Sequence, residues 1–333
     1  MSGRMAGLAR RWWAGELGVA GTALDVTLAP AEAAYRMGIK LRNRAYDRRM
    51  LASTVAPLPV ISIGNIAVGG TGKTPFTSWL ALRLAQRGER PAIVHGGYAQ
   101  DEPELHRTWA PEIPVFVDRD RVRAAGRAHA EGASVVLLDD AFQHRRIRRD
   151  LDIVLISVER WSDTVRLLPR GAWREPPAAL ERADVLVCVR KTATVEEAVS
   201  VARAVASGSG RPVLRVHLRA AGWQRDGVPA AAPTGPCLLV AGLADPGLFV
   251  MNARDAGALV STELLFPDHH EYDDADAARI RAAAAGRTII TSAKDWVKLR
   301  GRVDAAETLV LTQEVVIEEG EPQLDAALGR VLR

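Results

Sequence analysis

Disulfide chemistry has little material here: the 333-residue chain holds two cysteines. Cys188 in DVLVCVR and Cys237 in PCLLVAG each lie inside an apolar, strand-like run without metal-ligand spacing. Both read as small buried hydrophobes in a reducing compartment. There is no internal repeat and no low-complexity segment. Long hydrophobic runs are missing too. A membrane-crossing helix needs about 18 or more apolar residues in succession, and Glu16 and Asp25 interrupt the one stretch that approaches this, from Trp13 to Leu28. The same acids argue against a cleaved signal peptide. Net positive charge is confined to the start. Of the net +4, residues 1–50 supply +5, with nine Lys/Arg against Glu16, Asp25, Glu32 and Asp47, and the remainder sums to −1. Such a distribution argues against a nucleic-acid groove over the body, and no nucleic-acid partner is expected. Apolar material is ample: 48% of residues are hydrophobic, enough for one large or two ordinary domains with a sizeable core.

The most informative stretch is VISIGNIAVGGTGKTPFT, residues 60–77. An apolar, β-branched run (Val60, Ile61, Ile63) gives way to Gly64, Gly69, Gly70 and Gly72, then to Lys73 and Thr74, and then to an amphipathic segment. The order strand, glycine loop, helix suits a phosphate chain. Glycines let backbone N–H groups turn inward, the helix N-terminus adds partial positive charge, lysine reaches the outer phosphates and the threonine hydroxyl can ligate Mg²⁺. We assign nucleotide contact to Gly69, Gly70, Thr71, Gly72, Lys73 and Thr74, with Ala67 standing where the full P-loop pattern has glycine.

Upstream, Arg10 and Arg11 adjoin Trp12 and Trp13, and the following stretch meets Pro30. Arg36, Lys40, Arg44 and Arg48 then recur at helical spacing beside an apolar stripe of Tyr35, Ile39, Tyr46 and Met50. This is the composition of a segment lying in a membrane interface. Ordinary surface helices packed on the core are the alternative, and the helices can serve both roles.

Downstream the pattern is α/β. Strand 91–94 leads into HGGYAQDEP, a loop carrying Asp101 and Glu102 where an open parallel sheet forms its ligand crevice. Strand 115–117 and a helix over 119–131 follow. A buried strand, 135–138, ends in Asp139 and Asp140, acids placed either to hold Mg²⁺ directly or through water, or merely to cap the next segment. Gln143, His144, Arg145 and Arg146 crowd the same edge. Strands 153–157 and 185–189 bracket RLLPRGAWREPPAAL, whose Arg170 and Arg174 meet either an acidic substrate or solvent. Residues 220–236, rich in Gly, Pro and Ala, read as a domain junction. Beyond them a smaller α/β unit carries FPDHHEY and SAKDWVKL. Adjacent His269 and His270 point in different directions and lack a nearby third ligand, so a histidine orienting a catalytic carboxylate or a substrate hydroxyl is favoured over a metal site. Lys294 and Asp295 are placed to face an inter-domain cleft.

The expected fold is therefore α/β: a mainly parallel, P-loop NTPase-like sheet flanked by helices, with a second smaller α/β domain and an N-terminal amphipathic helical segment. The boundaries are 1–50 for the membrane-associating helices, 51–220 for the P-loop core and 221–333 for the smaller domain, whose last helix can pack back on the core.

Taken together, GNIAVGGTGKTP (64–75), GY followed by DEP (97–98 and 101–103), LDDAFQHRR (138–146), LLPRGAWREP (167–176), AGLADP (241–246), FPDHH (266–270) and TSAKDWVKL (291–299) resemble one family, the tetraacyldisaccharide 4′-kinases of Gram-negative bacteria. The resemblance runs from about residue 58 to 300. It implies transfer of a phosphate from MgATP to the 4′-hydroxyl of an acylated glucosamine disaccharide 1-phosphate, by an enzyme seated peripherally or monotopically on the cytoplasmic face of the inner membrane. It implies that Lys73 and Thr74 serve phosphate and Mg²⁺, that Asp139 and Asp140 are metal-associated, and that Asp101 deprotonates the sugar hydroxyl with His269, or secondarily His270, as partner. Tyr98, Gln143, His144 and Arg174 fall on substrate or supporting positions. The chain departs from the family's pattern at His95, Gly96 and Gly97, where Ser-Arg-Gly precedes the tyrosine, at Ala99 and Gln100, where a longer segment is usual, and at Ala141, where glycine is usual. Protein partners are not legible. A P-loop switch or chaperone that hydrolyses nucleotide to drive a partner is the runner-up; it has no use for the DEP and FPDHH loops.

Overall fold

The computed structural model describes residues 3–13, 15–98, 101–162 and 164–332. Two helices come first, α1 (Gly3–Trp13) and α2 (Gly18–Asp47). Then follow β1 (Val60–Asn65), α3 (Lys73–Gln86), β2 (Pro91–His95), α4 (Asp101–Trp109), β3 (Val115–Val117), α5 (Arg121–Ala130), β4 (Val135–Asp139), β5 (Leu151–Ser157), β6 (Val185–Arg190), α6 (Val195–Ser209) and β7 (Val213–Arg225). The remainder is β8 (Val228–Ala230), β9 (Pro236–Ala241), α7 (Pro246–Asp255), β10 (Leu259–Leu265), α8 (Asp274–Ala284), β11 (Thr288–Ser292), α9 (Ala293–Leu299), β12 (Thr308–Glu319) and α10 (Glu321–Val331).

All twelve strands join one sheet, in the order β10-β9-β11-β12-β7-β6-β5-β1-β4-β2-β3 with β8 paired to β7. From β7 to β3 every pairing is parallel, and so is every pairing from β10 to β12. The larger set carries the nucleotide loop and the smaller set forms the second α/β domain. Helices lie on both faces, as a parallel sheet requires, and strands such as β1, β4 and β5 are buried along their whole length.

The seam between the sets decides where the site lies. β12 pairs antiparallel with β7 over nearly the full length of both. β6 holds only the first half of β7, Val213–His217, whereas β11 holds only the first part of β12, Thr308–Leu311, opposite Trp223 and Gln224. The stagger displaces the smaller set along the strand axis and turns it around. Strands of the two sets therefore run toward each other, and both sets of carboxyl ends face one space.

Two expected features differ. Residues 220–236 do lie where the chain passes between the two sets, but much of the stretch is strand, because β7 continues to Arg225 and pairs with β8; cross-strand hydrogen bonding overrides the Gly/Ala-rich composition. The DEP motif is not loop but the first turn of α4, where proline and acids are favoured. α2 runs through Pro30 without a break. Ala99 and Gln100 lie outside the described residues. Finally, α10 packs back on the larger set, with Leu324, Ala327 and Leu328 in one core with Ile61, Leu80 and Leu84.

Candidate active site

The loop after β1 turns through Gly69 (φ 120°) and Gly72 (φ 85°), the latter capping α3 in the left-handed conformation that glycine adopts without strain. Asn65 Nδ2 donates to Thr71 Oγ1 at 2.9 Å and braces the loop from within. Lys73 opens α3, and its Nζ lies 3.6 Å from Asp140 Oδ1. Thr74 is half-buried in the first turn, and its hydroxyl makes no hydrogen bond among the described residues.

Asp139 and Asp140 leave the end of β4 in different directions. Asp140 adopts φ 49° and accepts from Arg174 Nη1 at 2.9 and 3.1 Å. Burial alone would raise its pKa, but Lys73 and Arg174 outweigh it and hold the carboxyl below its ordinary value. Asp139 is fully buried. Its Oδ1 accepts from Thr77 Oγ1 at 3.3 Å and from the Asp140 amide at 2.9 Å, and its Oδ2 faces His106 Nε2 at 3.0 Å. Against the opposing effect of burial, the His106 hydrogen bond keeps this group below the usual range as well. His106 in turn meets Ser78 Oγ through Nδ1 at 2.8 Å, so one imidazole links α3, α4 and β4.

Glu102 adds a third carboxylate. One ligand atom each from His95, Glu102 and Asp139 lies within 4.8 Å of the others. The imidazole is not free to ligate, however. The Gly97 amide donates to His95 Nδ1 at 3.0 Å, which leaves the ring proton on Nε2, and Nε2 donates to Glu102 Oε2 at 2.9 Å. His95 therefore aims Glu102. Glu102 and Asp139 thus bring two hard oxygen donors together, the ligand type that magnesium takes.

The second half of the site comes from across the cleft. Asp101, 2% exposed, begins α4, and its Oδ2 lies 3.0 Å from His269 Nδ1, 3.5 Å from Lys298 Nζ and 3.8 Å from Lys294 Nζ. His269 Nε2 accepts from Lys294 Nζ at 3.2 Å, so the ring proton sits on Nδ1 and points at Asp101. Desolvation opposes ionisation of Asp101, but the His269 hydrogen bond and the two lysines override it and hold the carboxyl well below its usual range. His269 takes up φ 58° in the FPDHH turn. Its neighbour His270 turns away, bonding Asp276 through Nε2 at 2.6 Å and stacking on Phe266, which removes it as a partner for Asp101.

The remaining sequence-singled residues spread around this centre. Gln143 donates to Asn65 O at 2.8 Å and to Glu175 Oε1 at 3.1 Å. His144 is half-buried, with burial and then Arg121, Arg149, Arg42 and Arg146 lowering its pKa to about 4, so it is neutral near pH 7. Tyr98 is 70% exposed and its ring lies 5.7 Å from the Arg121 guanidinium, which fills the space over Gly96. Sequence reasoning missed His95, His106, Lys298 and Glu175. Only Glu175 carried a signal, an acid between Arg174 and two prolines; the others are ordinary residues until the fold brings them together.

The family described as tetraacyldisaccharide-1-P 4′-kinase matches residues 24–107 and 99–333. The chain belongs to this family. Among curated relatives, the tetraacyldisaccharide 4′-kinase of Anaeromyxobacter dehalogenans (strain 2CP-C) is 35% identical, covering 98% of this chain and 95% of its own. That of Anaeromyxobacter sp. (strain Fw109-5) is 36% identical, covering 96% of each. The crystal structure of LpxK from Aquifex aeolicus in complex with ATP superimposes with a TM-score of 0.76 and 28% identity, over 93% of this chain and all of that one. The architecture described above is thus the family's, over 93% of this chain.

Proposed function

We propose that the chain is an ATP-dependent phosphotransferase that moves the γ-phosphate to the 4′-hydroxyl of an acylated glucosamine disaccharide 1-phosphate. The observation that carries the reading is the convergence, across one cleft, of a nucleotide loop with its acids and an Asp–His pair that a purely hydrolytic switch would not need. Lys73, Arg174 and the loop amides neutralise phosphate charge, which is most of what phosphoryl transfer asks of a protein. A magnesium ion, for which Thr74, Asp139, Asp140 and Glu102 would supply oxygen donors, would offset phosphate charge there. On nucleotide binding, Lys73 and Arg174, which now lie on Asp140, would turn part of their charge to the phosphate oxygens.

Asp101 faces the acceptor hydroxyl. A carboxylate held below its usual range is a weak base, so it orients the hydroxyl first and takes the proton late, when the oxygen is already bonding to phosphorus. His269, donating from Nδ1, fixes the carboxylate, and Lys294 fixes His269.

We further propose a peripheral position on the cytoplasmic face of the inner membrane. Among the described residues no helix is long and apolar enough to cross a membrane. The outer face of α2 nevertheless exposes Val19 (88%), Val26 (72%), Met37 (55%) and Leu41 (57%), with Lys40 and Arg44 beside them. Of the apolar stripe read from the sequence, Tyr35, Ile39 and Tyr46 are half-buried on the protein side, whereas Met50 is exposed. An apolar stripe flanked by basic residues suits an anionic lipid surface.

The test is purified full chain with MgATP and the acylated disaccharide 1-phosphate in detergent, scored for a 4′-phosphorylated lipid. ATP hydrolysis indifferent to lipid, with no phosphorylated product, would overturn the kinase reading in favour of the switch.

A further inference from the structure

Helix α2 is fastened to one loop by a row of polar side chains. Asp25 pairs with Arg166. Glu32, 6% exposed, accepts from the Leu167 amide at 2.9 Å and from Arg170 Nη1 at 2.9 Å. Tyr35 OH donates to the Arg174 carbonyl at 3.2 Å, and Asn43 Nδ2 donates to Glu175 Oε2 at 2.8 Å. From α1, Trp13 Nε1 donates to the Pro169 carbonyl at 3.1 Å. Asp25, Glu32, Tyr35 and Asn43 share one side of α2, opposite Val19, Val26, Met37 and Leu41.

The fastened segment, 166–175, contains neither helix nor strand, so its shape depends on contacts of this kind. It closes tightly on itself: a Cβ on Gly171 would lie 2.3 Å from the Arg166 carbonyl oxygen. It ends in Arg174, the residue on Asp140, and in Glu175. The Glu175 carboxylate is 1% exposed and gathers Asn43, Gln143 and Arg182, the last at 3.0 Å. A carboxylate this deeply buried keeps its place only while donors surround it. Gln143 and the Arg174 and Glu175 amides tie the same point back to Asn65 and Ile66 at the root of the nucleotide loop. Binding to a lipid surface uses the outer face of a helix and needs none of this inner network.

We propose that α2 is a splint for the phosphate-transfer loop, and that Asn43 is a positioning residue that holds Arg174 on Asp140 through Glu175. The inference rests on the reading of Arg174 and Asp140 as phosphate-side groups. Without Asn43, Glu175 loses a donor it cannot replace from water. The carboxylate then turns toward Arg182, and the backbone it shares with Arg174 turns with it.

The experiment uses the full chain, MgATP and detergent-dispersed acceptor for kinetics, and sedimentation with phosphatidylglycerol-containing vesicles for lipid binding. Asn43→Leu should lower kcat about tenfold or more with the KM for ATP within about threefold of the parent. Vesicle binding should be unchanged. Tyr35→Phe, which removes only a hydroxyl and folds without difficulty, should lower kcat less and in the same direction. Asn43→Leu combined with Glu175→Gln should lose less than the product of the single losses, since both break one contact. If both Asn43→Leu and Tyr35→Phe keep parental kcat, or if kcat falls only in step with vesicle binding, the splint is refuted. If Asn43→Leu melts far below the parent while Tyr35→Phe keeps full kcat, the contact is structural only and the proposal fails. Arg174→Ala separates the two levels. Full activity in that variant sinks the underlying reading, whereas a large loss there with intact Asn43→Leu and Tyr35→Phe sinks the splint alone.

Discussion

Replacing Asp101 by asparagine separates the chemistry of the cleft from its architecture. The amide keeps the shape of a side chain that is 2% exposed, and its oxygen still accepts from His269. Lys294 retains Asp268 at 2.9 Å and Lys298 retains Glu271 at 2.9 Å, so neither lysine is stranded. What disappears is the negative charge at the acceptor hydroxyl. A positioned proton acceptor contributes about 10²- to 10⁴-fold, or about 3–5 kcal/mol of barrier, and kcat should fall by that amount. Stability should fall by only about 1–2 kcal/mol, because charge-assisted hydrogen bonds become neutral ones. ATP affinity should stay close to normal, since the loop, Lys73 and Asp140 are untouched. Single-turnover transfer from labelled ATP to the detergent-dispersed acceptor, with equilibrium dialysis of nucleotide, checks both halves. A large loss of ATP binding would assign Asp101 to the metal set, and a retained kcat would remove it from the reaction.

Other perturbations read other parts of the structure. His106→Leu keeps a buried apolar volume but strips the donor from Asp139, so the Mg²⁺ concentration for half-maximal turnover should rise, while His106→Gln should recover part of it. Gly64→Ala would place a Cβ 2.5 Å from Phe142 Cβ and 2.7 Å from its amide nitrogen; overpacking of this kind costs about 1–3 kcal/mol or more, and a fall in thermal midpoint without change in KM checks it. His144 binds its proton less readily in the fold than in the unfolded chain, about 4 against 6.5. Its contribution to stability is therefore fully present above pH 6.5 and is lost as the pH falls toward 4; urea midpoints of parent and His144→Gln should converge across that window. Glutamate at Val26 and Met37, both on the outer face of α2, should abolish vesicle sedimentation while leaving transfer to detergent-dispersed acceptor intact.

Much of the site was readable because its motifs depend on short-range order. Gly72, Lys73 and Thr74 announce a loop between strand and helix, and Asp139 and Asp140 end an unbroken apolar run, so local pattern suffices. Asp101 and His269 are 168 residues apart, and only the resemblance paired them. Residues 220–236 marked the passage between the sets but not its strands, because Gly, Ala and Pro describe backbone preference in isolation, while β12 supplies hydrogen bonds that no local window contains. α2 shows the same limit. Periodicity found a basic stripe and an apolar one, but which apolar stripe faces protein depends on a loop more than a hundred residues away. His95 and His106 carry no local signature at all, since each matters only through the carboxylate the fold sets beside it.

The packing of α10 on the nucleotide half bears on how the chain is made. Arg83 of α3 pairs with Asp325, 242 residues downstream, and Leu324 and Leu328 complete the hydrophobic layer beneath that helix. During synthesis the nucleotide loop and the acids of β4 emerge long before the segment that closes their core. For that interval α3 exposes an apolar face, and contacts of such long sequence separation form slowly. A nascent chain stopped before residue 321 should therefore engage chaperones and bind nucleotide poorly despite containing every residue of the loop. Competence for ATP arrives only after the far half has been threaded through the seam and returned.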